Sequence, residues 1–162
     1  MIQENKELLL KDLCARLSYK IIVKVNDTQG IMDEIDIPNE RIFVSNLNPF
    51  LYGGARASWF TVNGDKIYPY LRPMSSMTEE EKKELERIID EKLNKHIGQE
   101  DDEWTPWVLY DTTGIKNYVG GERFYFDEMS FIYDWLNAHH FDYRGLIERE
   151  LALEAPEEMY NV

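Results

Sequence analysis

The strongest constraint in this sequence is an alternation of apolar and polar side chains between residues 19 and 72. Apolar residues at every second position are typical of β-strands with one buried face. KIIVKVN (20–26) places its valines and Ile21 on one side, and GIMDEIDIP (30–38) does the same with Ile31, Ile35 and Ile37. With ERIFVSN and the two arms of SWFTVNGDKIYPYL, five short strands are predicted, which favours a small, strongly bent antiparallel sheet or a barrel.

The turn between the last two predicted strands carries the clearest local signal. Asn63-Gly64 lies between two β-rich flanks, and this pair suits the positive φ angles of a tight hairpin turn. We therefore predict a hairpin there. Pro69 has no N–H for a strand ladder, so the last strand is expected at a sheet edge, or to end early. The segment 46–57, NLNPFLYGGARA, is expected to be a loop.

Helices are predicted on both sides of this β-rich region. Residues 4–18 form the first, and 78–98 form the best, with Thr78 and Glu81 in a capping box. A third helix is predicted over 128–140, and a short fourth is expected to begin after Asp142.

The predicted fold class is α+β: an N-terminal helix, a five-stranded antiparallel sheet or barrel, then a mainly helical C-terminal half. We expect one domain, 1–162, with 1–73 holding the helix and β unit. The remainder, 74–162, is expected to add a short hairpin within 108–127.

The charge balance narrows the range of partners. Asp and Glu number 31 against 18 Lys and Arg, giving a net charge of −13. Direct binding to nucleic-acid phosphates or to an anionic membrane surface is therefore disfavoured. The charged start of the chain and the lack of a long apolar run predict a cytoplasmic protein. Cys14 is the one cysteine, and its leucine-rich surroundings suggest a core position.

One polar cluster, HHFDYRG (139–145), raises the question of catalysis or metal binding. A small hydrolase would use His139, His140, Asp142 and Arg144. Histidines that share a metal from one helix normally lie four residues apart, whereas adjacent ones point about 100° apart. We therefore interpret this segment as the end of one helix and the start of another, and predict no metal and no cofactor.

Large aromatic residues supply the other candidate site. Trp59, Trp104, Trp107 and Tyr110, with the neighbouring Phe60, surround the expected junction of the two halves. Such residues more often complete a core than bind a ligand. The alternative is a recognition patch, in which tryptophan and tyrosine are frequent anchors.

Three stretches carry a resemblance to a family. YLRPMSSMTEEEKKEL (70–85) and HHFDYRGLIERELALEAPEEMY (139–160) resemble the two signature blocks of a large group of uncharacterised small proteins from gut anaerobes, their phages and mobile elements. LKDLCARLSYKIIVKV (10–25) is similar to that group's opening. The chain departs from the group at Glu150 and Glu158, where glycines are expected. The resemblance implies a cytosolic accessory role and transfers no site.

Two functions therefore remain open. The first is a non-enzymatic accessory protein that binds another macromolecule, preferably a protein, with an acidic anti-defence mimic of nucleic acid as a special case. The second is the hydrolase described above. The absence of a nucleophile elbow or a phosphate-binding loop favours the first.

Overall fold

The structure, a computed structural model, describes residues 2–93 and 126–160. They belong to two compact units. Unit 1 comprises Met1–Arg72 and Leu146–Val162, and unit 2 comprises Pro73–Gly145. The short hairpin predicted within 108–127 lies outside the described residues except for 126 and 127, which begin a helix. The single-domain expectation stays a prediction.

The described residues of unit 1 form one α-helix, a short 3-10 helix (Leu17–Tyr19) and a six-stranded sheet. The helix and strands are α1 (Gln3–Arg16), β1 (Ile22–Val25), β2 (Thr28–Asp36), β3 (Arg41–Ser45), β4 (Ala57–Thr61), β5 (Ile67–Leu71) and β6 (Leu153–Glu154). The strand order is β4-β3-β2-β1-β5-β6. The first five strands pair antiparallel, as the alternation predicted, and β6 pairs parallel with β5. The described sheet is mixed and open, so the barrel alternative is wrong.

The predicted hairpin at Asn63-Gly64 is also wrong. A tight turn does form there, because the N–H groups of Gly64 and Asp65 both donate to the Thr61 carbonyl oxygen, at 3.2 and 2.9 Å. Neither Asn63 nor Gly64 has a positive φ, however, and β4 and β5 are not neighbours in the sheet. β5 instead pairs with β1 on the far side of the β1–β4 meander.

Asp65 explains how so short a turn joins two strands that are four places apart. Its Oδ1 accepts a hydrogen bond from Asn26 Nδ2 at 2.9 Å, and its Oδ2 accepts one from the Thr61 N–H at 2.8 Å. Asn26 lies in the β1–β2 turn, so this one carboxylate connects the end of β4 to the other side of the sheet. The sheet nevertheless stays open, since β4 and β6 are its two edges.

A β-bulge shifts the face pattern of β2. The register with β3 slips between Met32 and Glu34, so the two sides of the strand exchange places there. Met32 is consequently buried on the core face, whereas Ile37 is 60% exposed beyond the strand. The predicted common face of Ile31, Ile35 and Ile37 is wrong for this reason.

The core of unit 1 lies between one face of the sheet, helix α1 and the C-terminal segment 146–152. Its buried members are Leu9, Leu13, Ile21, Val23, Val25, Met32, Ile42, Val44, Leu47, Phe60, Val62, Ile67, Leu71, Leu146, Leu151 and Ala152.

The buried face of α1 includes an ion pair that the pattern did not indicate. Arg16 Nε donates to Asp12 Oδ2 at 2.8 Å, and both side chains are fully buried. Cys14 is exposed, which corrects the expected core position. Its partial burial nevertheless raises the pKa of the Cys14 thiol, which disfavours the reactive thiolate.

Strand β5 accommodates Pro69 without being an edge strand. The Asn26 N–H donates to the Lys66 carbonyl, so hydrogen-bonded pairs recur at every second residue and Pro69, opposite Val23, falls between them. Where Ile22 of β1 and Tyr70 of β5 face each other, the Tyr160 side chain replaces the direct backbone hydrogen bond. Its hydroxyl accepts from the Ile22 N–H at 3.2 Å and donates to the Tyr70 carbonyl at 2.9 Å.

Unit 2 contains α2 (Glu79–Leu93) and α3 (Phe126–Ala138). The predicted capping box of α2 is confirmed: the Glu81 N–H donates to Thr78 Oγ1 at 3.2 Å, and the Thr78 N–H donates to Glu81 Oε2 at 2.9 Å. The buried core of the unit consists of Met74, Met77, Leu85, Ile89, Ile132, Trp135, Leu136 and Phe141.

The mainly helical C-terminal half is not supported. Residues 143–150 form turns where a fourth helix was predicted, and the chain continues into β6. Glu150 has a φ of +56° there, and its N–H donates to the Ile147 carbonyl. No helix among the described residues is long and apolar enough to cross a membrane.

Candidate functional site

The histidine cluster forms the end of α3. The His140 N–H donates to the Asn137 carbonyl at 3.1 Å and the Phe141 N–H donates to the Leu136 carbonyl at 2.9 Å, while His140 has a φ of +59°. This pattern is a Schellman motif, in which one left-handed residue ends a helix and satisfies its last carbonyl groups. Phe141 and Leu136 share the unit's apolar core, as is usual for this motif. The helix therefore ends where predicted.

The side chains of the cluster complete the same helix end. His139 Nδ1 lies 2.9 Å from the Trp135 carbonyl oxygen, and the two rings stack with centroids 3.9 Å apart. A carbonyl only accepts hydrogen bonds, so Nδ1 carries the proton. His140 and Asp142 are 7% and 8% exposed, and the Arg144 guanidinium lies 4.7 Å above the Tyr143 ring.

The described residues offer no ligand set for a metal-dependent form of the hydrolase hypothesis. Among residues 2–93 and 126–160, no group of three or more His, Cys, Asp or Glu side chains is placed to hold a metal ion. One histidine is stacked on a tryptophan and the other is buried at a left-handed position. His139 and His140 are therefore adjacent at a helix end, where one stacks on Trp135 and the other adopts the left-handed conformation.

The described part of the aromatic candidate set gives a mixed result. Phe60 is buried in the core of unit 1, whereas Trp59, on β4, is 38% exposed. One side of the Trp59 ring packs against Phe43, with centroids 5.3 Å apart, and the Arg41 guanidinium lies 4.5 Å from its centre. Trp104, Trp107 and Tyr110 lie outside the described residues.

The most exposed large apolar side chain among the described residues lies in the loop between β3 and β4, where the sequence predicted no site. Phe50 is 95% exposed and Leu51 is 55% exposed. The loop is held by its own hydrogen bonds: Asn48 Oδ1 accepts from the Phe50 N–H at 3.1 Å, and the Pro49 carbonyl accepts from the Gly54 N–H at 2.8 Å. An ordered backbone therefore holds Phe50 in solvent.

Two contacts anchor this loop to the sheet. The Tyr52 ring packs edge-on against Phe60, with centroids 5.7 Å apart. Gly30, on β2, lets the end of β3 and the start of the loop approach closely, since a Cβ there would clash with the Ser45 carbonyl oxygen and lie 3.2 Å from a Leu47 methyl group. The loop's position thus depends on a glycine in a strand.

Beside the loop lies an open cleft of about 460 Å³. It is lined by Lys24, Asp27, Thr28, Gln29, Asn46, Asn48, Leu51 and Tyr70. Lys24 and Gln29 are directly opposite each other on β1 and β2, and Leu51 belongs both to the cleft and to the exposed loop. The cleft and the loop are therefore one continuous surface.

Lys24 and Gln29, the paired strand residues of this surface, lie on the solvent face of the sheet. Side chains of directly paired residues share a face, as do residues two apart along a strand. The pairs Lys24–Gln29, Ile31–Ser45 and Phe43–Trp59 therefore place the lysine and Trp59 on the same side. We call this side the outer face; it is opposite the buried face that contacts α1.

No family model, curated protein or solved structure matches this chain. The candidate surface therefore has to be interpreted from its own geometry.

Proposed function

We propose that this protein is a non-enzymatic binding protein that recognises another protein through the β3–β4 loop and the outer face of its sheet. The single observation that carries the proposal is Phe50, 95% exposed at the tip of a hydrogen-bonded loop.

An exposed phenylalanine on an ordered loop is well suited to binding. Burying such a side chain contributes about 1.5–3 kcal/mol. Because hydrogen bonds already hold the loop backbone, binding a partner costs less conformational entropy than ordering a flexible loop would. Leu51, next in sequence and 55% exposed, extends the apolar area.

The charge of the chain favours a protein over the other binding partners. An exposed phenylalanine also suits a membrane surface, but anchoring there relies on basic residues, and this chain has a net charge of −13. The same charge repels nucleic-acid phosphates. A protein partner with a neutral or basic surface fits both features.

The test compares two variants with similarly exposed apolar side chains. Phe50→Ser removes the loop anchor, and Ile37→Ser removes a side chain 60% exposed in the β2–β3 turn of the same unit. Each variant and the wild type is immobilised, and the proteins retained from a lysate of the source cells at about 0.15 M salt are quantified by mass spectrometry.

We expect specific proteins retained by wild type and by Ile37→Ser to be depleted with Phe50→Ser. The affinity for an isolated partner should fall about 10- to 150-fold, which corresponds to the lost burial. Equal retention by all three proteins, or no retained protein, contradicts the proposal. Melting curves confirm that both variants fold.

The cytosolic, mobile-element setting is part of the same proposal and rests on the three sequence blocks alone. A lysate from the source cells with and without the induced element tests it: a partner present only in cells that carry the element supports that setting.

A further inference from the structure

The cleft beside the loop holds polar groups that are available to a ligand. Lys24, Gln29 and Asn46 make no side-chain hydrogen bond or ion pair with the described residues. Asn48 uses its oxygen to accept from the Phe50 N–H, at 3.1 Å, so its amide NH₂ group remains as a donor. Three of the eight lining residues are thus side-chain amides.

The charges of the lining restrict the class of ligand. Lys24 is balanced by Asp27, so the cleft favours an occupant without a large net charge. A side-chain amide pairs with a group that offers one donor and one acceptor close together, as a peptide unit does. The cleft therefore matches the main chain of an extended peptide better than a phosphate or another multiply charged anion.

We propose that this cleft binds an extended peptide segment of the partner, with Gln29 and Asn46 pairing with its main-chain amides. This inference rests on the proposed function and specifies its partner: a peptide segment lies in the cleft rather than a folded surface against the loop alone. Leu51 lines the cleft, and Phe50 is its exposed neighbour in sequence. These two side chains form an apolar rim, and an apolar side chain of the peptide packs against it.

The apolar rim also separates a peptide from a saccharide. Hydroxyl groups of a saccharide would satisfy the amides equally well, and Tyr70 offers an aromatic ring. A saccharide, however, has no aliphatic side chain to cover Leu51, which is 55% exposed. A peptide with one large apolar residue satisfies both the amides and the rim.

Two independent substitutions remove amides without disturbing the backbone. Asn46 has a φ of +58°, so Asn46→Gly keeps this left-handed conformation while it removes the carboxamide together with its Cβ. Gln29→Ala acts at an exposed strand position. Glu150→Gly is the matched control, because Glu150 is exposed, has a φ of +56° and is not part of the cleft lining.

The probe is a phage-displayed library of random linear heptapeptides, selected on the immobilised full chain. Recovered sequences are synthesised with both ends blocked, and their affinities are measured by fluorescence anisotropy. We expect recovered peptides to share a large apolar residue. Their affinity should fall about five- to tenfold with Asn46→Gly and with Gln29→Ala, the effect of one lost hydrogen bond, and stay unchanged with Glu150→Gly.

The inference is overturned if no peptide is recovered, or if the recovered peptides bind both cleft variants as tightly as wild type. Binding to a glycan array that both cleft variants lose would assign the cleft to saccharides and overturn it as well. The proposed function is tested by a different variant, Phe50→Ser, so the two can fail independently. If Phe50→Ser releases the cellular partner while both cleft variants retain it, the binding protein stands and the peptide inference does not.

Discussion

Tyr160→Phe removes one oxygen atom from the point where the C-terminal segment meets the sheet. The Tyr160 hydroxyl accepts from the Ile22 N–H at 3.2 Å and donates to the Tyr70 carbonyl at 2.9 Å, where β1 and β5 would otherwise bond directly. Phenylalanine fills the same space but leaves both backbone groups without this partner. An unmet buried backbone group costs about 1–3 kcal/mol, and water reaches this half-buried site in part, so we expect a loss of about 2 kcal/mol.

The stability contributed by Tyr160 should also depend on pH in the alkaline range. Burial raises the pKa of Tyr160 to about 12. A phenol with a raised pKa stays protonated in the folded state while the unfolded chain, with a pKa near 10, ionises. The stability of wild type from this group is therefore fully present below pH 10 and is lost as the pH rises towards 12. At pH 11 the advantage of wild type over Tyr160→Phe should shrink by about 1.4 kcal/mol.

Urea unfolding followed by circular dichroism at pH 8 and pH 11 measures both effects, since other titrating groups cancel between the two proteins. Tyr68→Phe is the control, because Tyr68 is also half-buried but its hydroxyl makes no hydrogen bond to a described residue. We expect the control to match wild type within about 0.5 kcal/mol at pH 8. If Tyr160→Phe also does so, or if its deficit fails to narrow at pH 11, the bridging role is refuted.

Two further outcomes follow from helix ends and turns. Glu150→Gly should raise the free energy of unfolding by about 1 kcal/mol in a urea titration, because glycine adopts the φ of +56° without strain; an unchanged or lower value contradicts this. Thr78→Ala should lower the free energy of unfolding by about 1 kcal/mol, measured on the part of the transition that reports α2. The reason is that the Glu81 N–H loses its acceptor, the Thr78 hydroxyl oxygen 3.2 Å away. Thr78→Ser keeps that oxygen and should be nearly neutral. A loss as large with serine would show that the Thr78 methyl group, rather than its oxygen, is responsible.

Local sequence signals predicted the elements whose causes are local. The alternation predicted all five antiparallel strands, and the Thr78 capping box, which spans four residues, forms as expected. The pairing of strands depends on interactions distant in the sequence. Asn63-Gly64 is a good hairpin signal, but Asp65 bonds to Asn26 and Thr61 instead and directs β5 to the other side of β1. A turn signal indicates that the chain reverses, not which strand it pairs with.

The bulge in β2 shows a second limit of periodicity. Every face assignment beyond a bulge is inverted, and nothing in GIMDEIDIP marks the slip between Met32 and Glu34. The buried Asp12–Arg16 pair was missed for a related reason: charges four residues apart on a helix are common on solvated faces, and only the position of α1 against the sheet buries these two.

Neighbouring polar residues in a sequence need not form a site in the folded chain. A search by residue chemistry favours clusters such as His139 to Arg144, because polar side chains close in sequence suggest a shared function. In the folded chain, residues 139 and 140 serve the helix end, through a ring stack and a left-handed turn. Phe50 contributes no distinctive chemistry in sequence, and its significance depends on a loop that holds it 95% exposed. A binding surface is defined by what the fold fails to bury, so it becomes visible only after the core has been assigned.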